Sequence, residues 1–137
     1  MTRLREEVPQ KNRWETTVQA APEGYSFPPR FRQMVTEGLP DLRPLYWMLQ
    51  RQGRLEFWTE TLAEQFPERI LIPFAKTDGN DDIHCFDGTD TSGNPIVLLI
   101  HAFTTPGWEY RGEWYHFDSW LKGAFEFHEE NREDTDE

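Results

Sequence analysis

The stretch from 78 to 88, DGNDDIHCFDG, sets four aspartates and two glycines around Ile83, Cys85 and Phe86. Carboxylates at that density suit either oxygen ligation of calcium or acid–base work beside His84. A calcium loop of the EF-hand kind alternates oxygen ligands, turns sharply at a glycine and closes with a glutamate. Counted from Asp78, the ligands fall on Asp78, Asn80 and Asp82, but Ile83 stands where glycine is needed and Thr89 where glutamate is. The calcium reading fails at both positions. Asp and Asn also favour turns through hydrogen bonds to their own backbone, so Asp78 and Asn80 are expected to shape a turn at Gly79. Asp81, Asp82 and Asp87 are then the carboxylates expected to stay exposed, with a partner-facing edge as their role.

Other catalytic templates are missing. The chain has no GxSxG, no glycine-rich phosphate loop with its lysine, no HExxH and no second cysteine for a zinc pair. Cys85 alternates with its neighbours in an expected strand, the setting of a buried and inert thiol. His101 lies inside an apolar run and reads as a satisfied strand histidine. These readings predict no enzyme, no catalytic residue, no metal and no cofactor.

Composition narrows the function classes further. A chain of 137 residues suits one domain, and Trp 6 with Phe 10 predicts an aromatic-rich core. No apolar run is long enough for a membrane span or a signal peptide, and the lone cysteine makes no internal disulfide; a cytoplasmic protein is expected. Residues 1–60 hold nine Lys/Arg against eight Asp/Glu, whereas residues 61–137 hold five against seventeen. That acidic half disfavours direct binding to nucleic acid and attracts a basic protein. Its plainer reading is a solvated surface that aids solubility.

The elements that position these residues follow from periodicity. LPDLRPLYWMLQRQG, with Asp41 as a cap, Pro44 in the first turn and Leu45, Met48 and Leu49 at helical spacing, predicts a helix before Gly53. Trp58, Leu62, Ala63 and Phe66 predict a second helix stopped by Pro67. ILIPFA and IVLLIHAF read as strands covered on both faces, and 83–101 as a hairpin. WEYRGEWYHF alternates like an outer strand. Within it Trp108, Glu109, Tyr110, Glu113 and Trp114 form a second candidate contact patch, because Trp and Tyr are favoured at interface centres. Phe117, Trp120, Leu121, Ala124 and Phe125 share one face of a closing helix, with Asp118 near its start. The fold expected is α+β: N-terminal helices, a curled and mainly antiparallel sheet, and a closing C-terminal helix. Residues 1–24 read as a flexible or peripheral segment, 25–128 as the domain, and 129–137 as a disordered acidic tail.

ERILIPFAKTDGNDDIHCFD, followed by PIVLLIHAF and FDSWLKGAF, resembles the SUKH superfamily, which includes fungal cell-wall synthesis regulators and bacterial immunity proteins. The order carries the likeness: a strand into Pro-Phe-Ala (Ile72 to Ala75), acidic Asp81 and Asp82, a strand ending at Phe86-Asp87, the strand Val97 to Ile100, and a helix with Trp120-Leu121. Leu39 and Pro40 match the family's early Leu-Pro step, but its Asn-Gly turn is absent. The resemblance implies a curled antiparallel sheet, no enzymatic activity, and a role in binding proteins. A bacterial immunity protein that neutralises a basic toxin, a nuclease among the options, is the leading expectation. A regulatory or scaffold module of the cell envelope is the alternative, and sugar stacking by tryptophans stands third.

Overall fold

The computed structural model describes residues 23–135. Helix α1 spans Pro29–Glu37, strand β1 Leu45–Trp47, a single 3-10 turn Met48–Gln50, and helix α2 Arg54–Gln65. Strands β2 Leu71–Thr77, β3 Asp82–Asp87, β4 Val97–His101 and β5 Tyr110–Trp114 follow, and helix α3, Phe117–Thr135, closes the chain. The five strands form one sheet in the order β1-β2-β3-β4-β5, each antiparallel to the next. The fold is α+β, as expected.

Two local expectations are corrected. The helix predicted before Gly53 is instead β1 and its 3-10 turn, with Leu45 opposite Thr77 and Trp47 opposite Ala75. Pro44 biases Arg43 away from helical geometry, and the run of Leu45, Tyr46 and Trp47 is buried throughout, which suits a strand better than a one-sided helix. Asp41 does not cap a helix. It accepts bonds from the Arg43 backbone N–H (3.1 Å) and guanidinium (2.9 and 2.7 Å), which hold its carboxyl down at about 2. The helix of this region lies earlier, at α1, where Pro29 occupies the first turn and Gly38 ends it. At the other end, residues 129–135, expected to be disordered, continue α3. Asn131 donates to Phe127 O (2.8 Å) and Arg132 pairs with Glu129 (3.1 Å), contacts that extend an already anchored helix. Residues 1–22 and 136–137 lie outside the described residues.

The sheet is covered on both sides. Register places Ile72, His84, Phe86, Val97 and Leu99 on one face, and Lys76, Ile83, Cys85, Leu98 and Ile100 on the other. The first face meets α1 and α3 through a plate of rings. Phe74 stacks on Phe86 at 4.2 Å between centroids, and Phe31 (5.1 Å from Phe86), Phe117 and Trp120 (4.8 Å from Phe74) close around them. The second face is covered by α2, whose Leu55, Trp58 and Leu62 are buried. Ala63 and Phe125, predicted for the buried helix faces, are exposed, since each sits at the margin of its stripe.

Gly88, just past β3, passes so close to Ile70 that a Cβ there would lie 2.4 Å from Ile70 Cγ2 and 2.9 Å from its carbonyl oxygen. Gly88 N–H also donates to that carbonyl at 2.8 Å, so the two segments cannot simply part. Gly88→Ala should therefore lower stability by about 2 kcal/mol through overpacking, read by urea denaturation.

Candidate functional site

The acidic loop is a braced turn. Gly79 takes φ +93°, Asn80 Oδ1 accepts the Asp82 N–H (2.9 Å), Asp78 receives Arg51 (3.2 Å), and Lys76 Nζ donates to the carbonyls of Thr77 (3.0 Å) and Asn80. Asp78 and Asn80 thus shape the turn as their types predict. Asp81 is exposed, but Asp82 is half-buried with Oδ1 2.8 Å from His101 Nδ1. Asp87 is also half-buried: it accepts from the Thr89 N–H (2.9 Å) and hydroxyl (2.7 Å) at the far end of β3. Of the three carboxylates expected to be free, only Asp81 is, because the other two satisfy neighbouring donors. Among the described residues, no three His, Cys, Asp or Glu side chains converge into a set that could hold a metal ion. Burial raises the Cys85 thiol well above its ordinary range, and the side chain is fully enclosed.

The antiparallel order brings the start of β3, the end of β4 and the start of β5 to one end of the sheet. Asp81 and Asp82 therefore share an end with Trp108, Glu109 and Tyr110, whereas Asp87 lies about five residues of strand away, roughly 17 Å. Trp108 is 72% exposed and Tyr110 47%, and the Tyr110 hydroxyl donates to the exposed Glu113 at 3.1 Å. Glu109 departs from its predicted role as a surface contact. It is buried, bound by Arg69 Nε at 2.5 Å and by the Gly107 N–H at 2.6 Å. Burial alone raises this carboxyl, but the Arg69 and backbone hydrogen bonds override it and hold it below its ordinary value. Glu109 thus ties the β4–β5 loop to the segment leaving α2.

Two members of this surface escape the sequence patterns. Phe57 and Phe103 flank the buried Trp58 at 5.0 and 5.9 Å between centroids, and both are exposed, Phe103 by 60%. Phe103 also holds φ +61°, a left-handed backbone that bulky residues avoid, with its N–H donated to Gln65 Oε1 at 2.6 Å. Beside them, the outer side of α2 carries the exposed Glu56, Glu60 and Glu64 at successive helical turns. The i, i+4, i+8 spacing of those glutamates, with Phe57 at their flank, is the signal in the sequence that could have found this surface.

On the opposite face, a cleft of about 380 Å³ opens between α3 and the sheet. Its floor takes residues from all five strands, among them Leu45, Thr77, Asp82, His84, Leu99 and Trp114, and its far wall is Trp120, Gly123, Ala124 and Phe127 of α3. His84 accepts the Trp120 indole N–H on Nδ1 at 2.9 Å. An indole nitrogen only donates, so the neutral ring carries its proton on Nε2, and that buried N–H has no partner among the described residues. Desolvation pushes the His84 pKa down to about 4, although Asp82 nearby works the other way.

No family model, curated protein or solved structure matches the chain.

Two outcomes follow from these bonds. With its folded pKa depressed from 6.5 to about 4, His84 binds fewer protons folded than unfolded between those values. Stability is complete above pH 6.5 and should fall by about 3 kcal/mol as the pH drops to 4, with His84→Gln flattening that slope in pH-dependent urea denaturation. Arg69→Met should cost about 2–3 kcal/mol, measured the same way at neutral pH, because it strands the buried Glu109 charge; a third of the Arg69 side chain is exposed, which softens the loss.

Proposed function

We propose that this chain is a non-enzymatic protein-binding domain of the SUKH type, a bacterial immunity protein that neutralises a basic toxin by direct contact. The observation that carries the reading is the exposure of four large rings, Phe57, Phe103, Trp108 and Tyr110, on a chain whose Glu56, Glu60, Glu64 and Asp81 carboxylates also face solvent. Soluble proteins seldom leave such rings uncovered together without a binding use, and rigid aromatics are the side chains that anchor interfaces. The strained backbone at Phe103 supports it, since conformations of this kind cluster where a side chain is held out for function.

Charge sets the partner class. The chain carries a formal charge of −11, and Glu56, Glu60, Glu64, Asp81 and Glu113 face solvent around the rings. A basic surface, such as the phosphate-binding face of a nuclease, would be steered to this side and its pockets filled by Trp108 and Phe103. The motif order from Ile72 through Asp87 to Trp120-Leu121 favours the same assignment. The alternative, a regulatory module of the cell envelope, rests on the acidic end of the chain as its contact.

Co-expression with the product of the adjacent gene, followed by copurification and growth, tests the proposal. A complex that restores growth, weakens with salt, and loses at least about ten-fold in affinity on Trp108→Ala or on combined Glu56, Glu60 and Glu64 reversal to Lys is expected. Melting temperatures of those variants should stay close to the parent, because the substituted side chains are exposed. Neither complex nor rescue, or a partner whose binding vanishes on removing residues 129–137 but survives Trp108→Ala, would turn the assignment to the regulatory module.

A further inference from the structure

The cleft under α3 joins an accessible apolar wall to a carboxylate oxygen that folding leaves unused. Leu99 and Trp114 are half-buried there and Phe127 is exposed, so all three remain within reach of solvent. Asp82 borders the same cleft with its side chain 31% exposed. Its Oδ1 meets His101 Nδ1 at 2.8 Å, whereas Oδ2 has no hydrogen-bond partner among the described residues. Register brings the two features together. Asp82 and His84 follow one another on one face of β3, and Leu99 stands opposite His84 on β4, so the carboxylate is one pleat repeat, roughly 7 Å, from the apolar floor. No lysine or arginine is among the described residues that line the cleft. The Lys76 ammonium comes from the other face of the sheet and is held by the carbonyls of Thr77 and Asn80.

Gly123 adds an independent indication. It sits inside α3, where glycine is among the weakest helix formers. Space does not demand it, because a Cβ would meet only Trp114 Nε1, at an ordinary 3.7 Å. What the missing side chain leaves open is the cleft itself, which Gly123 lines beside Trp114.

We propose that this cleft is a binding site for a small arylalkyl amine in its ammonium form, whose N–H donates to Asp82 Oδ2 while its apolar body packs against Leu99, Trp114 and Phe127 beside Gly123. An alkylamine is protonated at neutral pH, and a carboxylate flanked by apolar surface holds a cation more strongly than one in open water. The same charge repels an anion, and an alcohol gains only the weaker hydrogen bond of a neutral donor. Thr77 and Asn80 also line the cleft, and each carries a side-chain oxygen able to accept a further ammonium proton. A two-carbon linker between ring and nitrogen suits the single pleat repeat between floor and carboxylate. The volume of about 380 Å³ admits a one- or two-ring amine.

The probes are 2-phenylethylamine and tryptamine, with 2-phenylethanol and tryptophol as their neutral counterparts and 3-phenylpropionate as the anion. Titration into 15N-labelled protein reads the indole N–H signals, and Trp114→Phe assigns the one that matters. At least one amine should shift the Trp114 signal saturably and bind about ten-fold or more tightly than its alcohol, with the anion weakest. Asp82→Asn, which keeps an acceptor for His101, should bring amine and alcohol to within about three-fold of each other. Gly123→Leu should abolish the shift while keeping or raising the melting temperature, since leucine fills the cleft and favours the helix. The proposal is overturned if neither amine gives a saturable shift, if the alcohols bind as well as the amines, if Asp82→Asn leaves the preference intact, or if a folded Gly123→Leu binds as the parent does. Should Gly123→Leu fail to fold, the Asp82→Asn comparison decides alone. Loss of partner binding on Trp108→Ala leaves these readings unaffected, so the two sites fail or stand separately.

Discussion

A single hydrogen bond, from the Trp120 indole to His84 Nδ1, ties the closing helix to the middle of the sheet. A tryptophan buried under a helix gains by placing its N–H on an acceptor, and the third strand's imidazole supplies one here. Much else follows from that choice. The bond requires a neutral histidine, which burial secures, and it fixes the ring's proton on the other nitrogen. It also anchors α3 over β3, beside the cleft that opens between this helix and the sheet.

The two faces of the sheet divide the aromatic residues by task. On the α1 and α3 side, Phe31, Phe74, Phe86, Phe117 and Trp120 interlock and are withdrawn from water. On the α2 side, the ring of Trp58 is buried but its neighbours Phe57 and Phe103 stay in solvent. The ion pair between half-buried Arg69 and buried Glu109 holds the loop that presents Trp108 and Tyr110. Under the proposed function, a loop ordered in advance would lose less entropy on binding than a flexible one.

Legibility differed by element for identifiable reasons. Strands β2 and β4 are built on continuous apolar runs, β3 alternates, and all three are bounded by turn formers, so local pattern and tertiary environment agree. The segment around Leu45 carried helical spacing and extended packing at once, and pairing with β2 decided it, a contact some thirty residues distant that periodicity does not register. Helix α1 was overlooked although Pro29 and Gly38 mark its ends, because its apolar stripe is narrow and only Phe31 is fully buried. For the candidate surface, residue type identified Trp108 and Tyr110 but misjudged Glu109, Asp82 and Asp87. Whether a carboxylate is free depends on which donor folding brings to it, here Arg69, His101 and Thr89.

The margins of the sheet limit how another chain could engage it. β1 offers only three residues as an edge, and β5, the opposite edge, is bent by a bulge where Leu99 and Ile100 face Gly112 and Tyr110 with Arg111 left over. A bulged strand with Arg111 and Glu113 exposed is a poor template for a sixth strand. The same irregularity disfavours stacking of copies edge to edge through main-chain ladders.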